Sequence, residues 1–231
     1  MIAIGGRSQL APEVVRSMHE FRHEIFVRRL GWSVPLIEGE ERDQYDNDNT
    51  VYFVVQDGTG GVTACARLLP TTTNYMLAEH FGDLLGGQSP PCDPGIWELS
   101  RFATNTRKTG EGRVLSLADP TLNLLSAVTQ FARRHDIRRL ILVTSVAIER
   151  LLIRAQFDVH RIAPPRRMPD GLFVALFIEV GRGCSTGDEA EEDWEGVQPE
   201  TVERGIVHDC DRYRVEAAGG PSSSPDSLPR N

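Results

Sequence analysis

WELSRF, Trp97–Phe102, is the stretch on which the fold turns. Its apolar residues make it a strand. Strict alternation puts Glu98, Ser100 and Phe102 on one face and Trp97, Leu99 and Arg101 on the other. A carboxylate, a hydroxyl and a guanidinium inside so short an apolar strand are costly unless each has a partner. Two readings stay open on this stretch alone. Glu98 and Arg101 belong either to structural ion pairs or to a functional cluster, because both perturb charges in strands.

The neighbouring sequence supplies the sheet and the partners. Upstream, Val51 to Gln56 (VYFVVQ) and Val62 to Leu69 (VTACARLL) flank the turn DGTGG, a hairpin ended by Pro70. The second strand carries Arg67. Thr71 to Gln88 reads as irregular or short helix, and the Pro90-Pro91 and Pro94-Gly95 breaks precede the Trp97 strand. Downstream, Pro120 opens a helix with Leu122, Leu125, Val128 and Phe131 at helical spacing. Leu140 to Thr144 is a buried strand and Val146 to Ala155 an amphipathic helix. Phe157 to Ile162 is strand-like, Pro164 to Asp170 a basic turn, and Leu172 to Val180 a final strand. Toward the N-terminus, Met1 to Ile4 is an edge strand. A helix runs from Pro12 to about Leu30, with Arg22 and Phe26 four apart on one face. Ser33 to Thr50 is a long acidic loop in which Asp43 and Asp46 flank Tyr45; loops of this length are commonly functional. The order of elements gives an α/β protein, a three-layer α/β/α sandwich with a mixed sheet.

Charge divides the chain in two. The net charge is -8 over 231 residues. From Gly181 onward there are 12 acidic and 5 basic residues, against 21 and 20 before it. This places a folded domain at 1–180 and an acidic, Gly/Ser/Pro-rich tail, expected to be largely disordered, at 181–231. The domain has no basic excess to neutralise phosphates, so no nucleic-acid partner is expected. No apolar run is long enough for a bilayer and no leader is evident, so the expectation is a cytoplasmic protein with no membrane partner. The four cysteines form no CxxC pair and have no histidine at metal-ligand spacing, so no metal is expected.

The spacing of FRHEIFVRRLGW, ERDQYD, CARLLPTT and WELSRFATN resembles the acyl-homoserine-lactone synthase (autoinducer synthase, LuxI-type) family of bacterial quorum sensing, from Met1 to about Val180. The resemblance implies a fold similar to the GCN5-related N-acetyltransferases. It implies an acyltransferase that joins an acyl group from acyl carrier protein, or acyl-CoA, to the amine of S-adenosyl-L-methionine. Lactonisation then releases methylthioadenosine. S-adenosyl-L-methionine is a substrate, and no cofactor is implied. The catalytic candidates are Glu98 as general base, with Arg101 and Ser100. Arg22, Arg67 and Arg101 against Asp43, Asp46 and Glu98 would balance three to three and fix the Ser33–Thr50 loop over the donor. Phe26 and Trp32 offer aromatic faces to a sulfonium or adenine, and Phe102 completes this group. The acyl slot is assigned to Met76, Leu122, Leu142, Thr144, Val146 and Leu152. The family's 3-oxo-associated threonine position holds Leu142 here, which favours unsubstituted or 3-hydroxy chains.

Arg133-Arg134, Arg138-Arg139 and Arg166-Arg167, with Arg150 and Arg154, form a candidate docking face for an acidic carrier protein. A rival reading rests on Arg107-Lys108-Thr109-Gly110-Glu111-Gly112, which fits the phosphate-cradling loop of N-acetyltransferases and would serve an enzyme acylating another amine from acyl-CoA.

Overall fold

The computed structural model describes residues 1–105 and 120–181. The Arg107–Gly112 motif and the tail beyond Gly181 lie outside the described residues. The elements are β1 (Ile2–Gly5), α1 (Pro12–Arg22), a π-helical turn (His23–Arg29), β2 (Leu36–Ile37), β3 (Glu40–Glu41), β4 (Val51–Gln56) and β5 (Val62–Pro70). They continue with α2 (Met76–His80), a 3-10 turn (Gly82–Leu85), β6 (Ile96–Thr104), α3 (Pro120–Arg134), β7 (Arg139–Ser145), α4 (Val146–Arg154), β8 (Val159–Arg161), β9 (Arg166–Met168) and β10 (Gly171–Glu179). The main sheet has the order β1-β4-β5-β6-β7-β10-β8, with β9 also on β10. Among the described residues only β6 and β7 pair in parallel; the rest are antiparallel.

Alternation along the strands builds the layers. Phe53, Ala66, Leu68 and Leu99 pack with Leu124, Leu125 and Val128 of α3 and Leu152 of α4. The intervening Tyr52, Val54 and Cys65 pack with Val15, Met18 and Phe21 of α1. The three-layer sandwich with a mixed sheet is therefore as the element order implies. Two short pairings lie where only loop or turn was expected: the β2–β3 hairpin inside Ser33–Thr50, and β9 inside Pro164–Asp170.

Strict alternation fails within β6. Cys65 pairs with Ala103 and Arg67 with Ser100, so Ala66 alone spans Arg101 and Phe102 on β6. This is a β-bulge, with Arg101 at φ +50. It turns Arg101 onto the Glu98 and Ser100 face and sends Phe102 to the other face, where it packs on the α3-side core. The assignment of faces from the sequence is thereby corrected for both residues.

The helix from Pro12 starts as expected, with Pro at its first turn. From His23 it widens into π geometry, with Leu30 N–H donating to Ile25 O at 3.0 Å. Such insertions re-aim side chains and concentrate at functional sites. β6 and β7 pair only over Ile96–Glu98 against Arg139–Ile141. Beyond Glu98 and Ile141 the two strands part, although β6 continues to Thr104 and β7 to Ser145.

Candidate active site

Four segments bring six charged side chains to the α1 face. Arg22, at the end of α1, forks onto Asp46, with NH1 at 2.7 Å from Oδ1 and NH2 at 3.0 Å from Oδ2, and its Nε donates to Glu41. Arg67 of β5 donates from NH1 to Asp43 Oδ1 at 2.6 Å and from Nε to Ser100 Oγ at 3.1 Å. Arg101 donates from Nε to Glu41 Oε1 at 3.0 Å and from NH2 to Asp43 Oδ2 at 2.8 Å. Each carboxylate thus serves two guanidiniums, since Asp46 Oδ1 also lies 3.1 Å from Arg67 NH1. All six are buried.

Three cations against three anions satisfy the condition for burying charge. The third anion is Glu41, which the sequence reading missed, rather than Glu98. Glu41 sits on β3, a strand the acidic loop did not reveal. The cluster also straps down that loop. Asp46 Oδ2 accepts the Asp43 backbone N–H at 2.9 Å, and Asp43 Oδ1 accepts that of Tyr45 at 3.0 Å. Tyr52 closes the network from β4, its hydroxyl donating to Asp46 Oδ1 at 3.0 Å. Burial alone would raise the Asp46 pKa, but the Arg22 guanidinium, helped by Arg67, holds it far below the usual carboxylate range.

Glu98 stands apart from this network. Its Oε1 accepts the Leu77 backbone N–H and its Oε2 that of Met76, at the start of α2. Burial pushes its pKa up from 4.5 to about 7; the two N–H donors and the nearby Arg67 and Arg101 oppose that rise without cancelling it. The six-member cluster is already neutral, so an ionised Glu98 is one uncompensated charge. It sits where β6 and β7 part. A carboxylate poised near neutrality beside a gap between strands can take a proton from a weakly acidic ammonium.

Aromatic groups border the cluster. Phe26 and Trp32 stack, with centroids 5.1 Å apart and planes at 16°. Phe26 is 3% exposed and also lies under the Arg101 guanidinium, whereas Trp32 is 38% exposed. Arg67 lies over the Tyr45 ring. The thioether of Met76 accepts from Arg101 NH1 at 3.3 Å, which places Met76 beside the charges. Phe102, Leu142 and Leu152 lie in the core on the α3 side. Leu122, Thr144 and Val146 are half-buried, with Thr144 opposite Val174 and Val146 opening α4. Phe102 thus sits among the acyl-slot candidates and not with the charge cluster.

A family model described as autoinducer synthase matches residues 8–185. The chain belongs to the autoinducer synthase family. It is 38% identical over 182 residues to an acyl-homoserine-lactone synthase of Pseudomonas aeruginosa, covering 78% of this chain and 89% of that protein. It is 40% identical over 181 residues to one from Ralstonia nicotianae, covering 77% and 87%. The solved AHL synthase LasI superposes with a TM-score of 0.68 at 38% identity, over 78% of this chain and 89% of that one. BjaI, a CoA-dependent acyl-homoserine lactone synthase solved with SAM and isopentyl-CoA, gives 0.67 at 28% identity, over 79% and 84%. At the level of fold alone, a putative N-acetyltransferase from Lactobacillus plantarum gives 0.53 at 16% identity, over 78% and 97%. This autoinducer synthase is accordingly an acyltransferase that makes an acyl-homoserine lactone. Among its described residues no helix is long and apolar enough to cross a membrane.

Proposed function

We propose that the chain acylates the amine of S-adenosyl-L-methionine from acyl carrier protein in the cytoplasm and closes the lactone. The observation that carries this reading is Glu98: a buried carboxylate raised to about 7, where β6 and β7 diverge, beside a self-neutralised cluster of arginines and acids. The bound form of SAM in BjaI supports the choice of amine donor.

A free α-amine has a pKa near 8 and is mostly protonated at neutral pH. Glu98 takes that proton, directly or through a water. The amine nitrogen then attacks the thioester carbonyl. The N–C bond forms, the C–S bond breaks, the nitrogen's second proton leaves on the carrier thiol, and Glu98 gives up its own proton to solvent. The methionyl carboxylate next attacks its own γ-carbon. The O–C bond forms, the C–S bond to the sulfonium breaks, and methylthioadenosine departs as a neutral thioether. That step needs a folded chain more than an acid or base. Trp32 and Phe26 face the sulfonium or adenine, and the acidic loop, held by Arg22, Arg67 and Arg101, covers the donor. Ser100 and Arg101 stand beside the thioester, and the acyl chain runs toward Phe102, Leu122, Leu142, Thr144, Val146 and Leu152.

The carrier protein is acidic. Of the basic residues singled out for docking, Arg138 pairs with Asp93, Arg139 with Glu179 and Arg166 with Asp83. Arg133, Arg134, Arg150, Arg154 and Arg167 are exposed and have no acidic partner among the described residues, so they are the proposed docking points. A second reading, acyl-CoA as the donor, is favoured by the likeness to CoA-dependent BjaI. Purified protein incubated with S-adenosyl-L-methionine and either acyl-carrier protein or acyl-CoA decides. An acyl-homoserine lactone and methylthioadenosine in equal amounts, faster from the carrier, is expected. Lactone from acyl-CoA alone would replace the carrier, and no lactone from either would end the reading.

A further inference from the structure

The chain leaves the described domain at one end of the sheet. β7 and β10 pair antiparallel with Arg139 opposite Glu179, so β7 begins where β10 ends. α3 leads into β7 and α4 returns from its far end, so both helix C-termini point to that same end. Arg133 Nε donates to Val180 O at 2.8 Å there, just before Gly181. A cleft of about 780 Å³ at this exit is lined by Arg133, Arg138, Arg139, His160, Asp158 and Glu179 among others. Its three arginines, Arg133, Arg138 and Arg139, stand among three acids, Asp136, Asp158 and Glu179, with Arg139 2.7 Å from Glu179, so it has little pull on an anion.

The adjoining α4 face differs. Arg150 and Arg154 are four apart on α4, exposed, and flanked by Ile153 at 55% and Ile148 at 45% exposure. Across the start of β10, Arg167 lies opposite Leu172, which is also exposed. The one acid on α4, Glu149, is buried and turned to Arg161, whose NH2 donates to Oε2 at 2.6 Å. This is a strip of positive charge and apolar surface.

The chain itself carries the complement. Six residues after Gly181 comes DEAEEDWE, Asp188–Glu195, with six acids and a tryptophan in eight residues. Arg167 and Leu172, at the start of β10, lie nine strand residues from the exit at Gly181, roughly 30 Å. The fourteen residues from Arg182 to Glu195 span at most roughly 46 Å, so the acidic run can extend along the whole strip.

We propose that Asp188–Glu195 docks on the α4 strip, its carboxylates on Arg150, Arg154 and Arg167 and Trp194 on Ile148 and Ile153. It thereby competes with the acidic carrier protein for the same surface. The competition rests on the carrier-docking reading above; the docking itself does not. A tethered segment acts at an effective concentration of ~mM, so even weak contact raises the KM for a carrier-borne donor severalfold. The contact is electrostatic and is screened by salt.

Two measurements on the full chain test it. With Asp188, Glu189, Glu191, Glu192, Asp193 and Glu195 changed to their amides, KM for acyl-carrier protein should fall about 2- to 10-fold at low salt. In the same variant kcat and the KM for S-adenosyl-L-methionine should hold, and the difference should vanish at high salt. An unchanged or higher KM overturns the competition. Separately, a photo-crosslinking amino acid in place of Trp194 should cross-link to residues 146–154 or 166–172. Cross-links confined to the exit cleft, or none, overturn the docking. If the carrier protein is not a substrate, wild type and amide variant both fail with it, while the cross-link still reads the docking.

Discussion

Leu77 donates its backbone N–H to Glu98 Oε1 at 2.6 Å, and Met76 donates to the other oxygen at 3.2 Å. The start of α2 thus fixes both oxygens of the carboxylate while burial keeps its pKa near 7. Each oxygen retains a lone pair, so the group is positioned without being fully occupied.

That pKa has a consequence for stability. Folding raises the Glu98 pKa from 4.5 to about 7. The folded state therefore binds more protons than the unfolded one between those values. Its contribution is complete below about 4.5 and is lost as pH rises through 7, amounting to about 3 kcal/mol. Urea midpoints at pH 5 and pH 8 should show it as a difference between proteins: wild type loses more stability than Glu98→Gln across that interval. Parallel pH dependence in the two would contradict the raised pKa.

Glu41 is shared by Arg22 and Arg101 and is fully buried. Glu41→Ala leaves two guanidiniums short of an anion, and a loss of about 3–5 kcal/mol is expected. Scanning calorimetry should register a fall in Tm of roughly 10 °C. Glu24→Ala is the control, because Glu24 pairs with Arg28 and Arg29 at the surface and should cost under about 1 kcal/mol.

Arg101 holds φ +50 in a bulge without glycine. Removing its charge harms the network whatever replaces it. Yet Arg101→Gly should be less destabilising than Arg101→Ala, by about 1 kcal/mol, because only alanine keeps a Cβ in the left-handed region. Chemical denaturation of the two variants compares them directly; the ordinary order, alanine the more stable, would remove the bulge from the account.

Trp32 separates binding from folding. It stacks on Phe26 but remains partly exposed. Trp32→Ala should raise the KM for S-adenosyl-L-methionine about 5-fold, equivalent to about 1 kcal/mol of cation–π attraction, with Tm unchanged. Trp32→Phe should restore most of the affinity, and steady-state kinetics reads both.

The sheet, the helices and the arginine–aspartate pairs were legible because each leaves a periodic or compositional trace. Arg22, Asp43, Asp46, Arg67 and Arg101 do meet. Glu41 was not legible. Glu38, Glu40 and Glu41 are alike in sequence, and only the β2–β3 hairpin buries Glu41 while Glu40 stays half-exposed. The turn residues Glu38 and Gly39, both at positive φ, carry the one local hint of that hairpin. Arg101 and Phe102 changed faces because the bulge has no glycine to announce it. Glu98 was read as a member of the arginine–carboxylate cluster, but it accepts backbone N–H groups of a five-residue helix, which have no signature in side-chain spacing.

The central claim is that Glu98 takes the proton from the donor amine. Single-turnover acyl transfer at saturating concentrations of both substrates, wild type against Glu98→Gln, tests it most directly. A rate lower by about 10²–10⁴-fold, with S-adenosyl-L-methionine affinity within about 3-fold of wild type, is the predicted result. A variant that transfers acyl groups at close to the wild-type rate would contradict it.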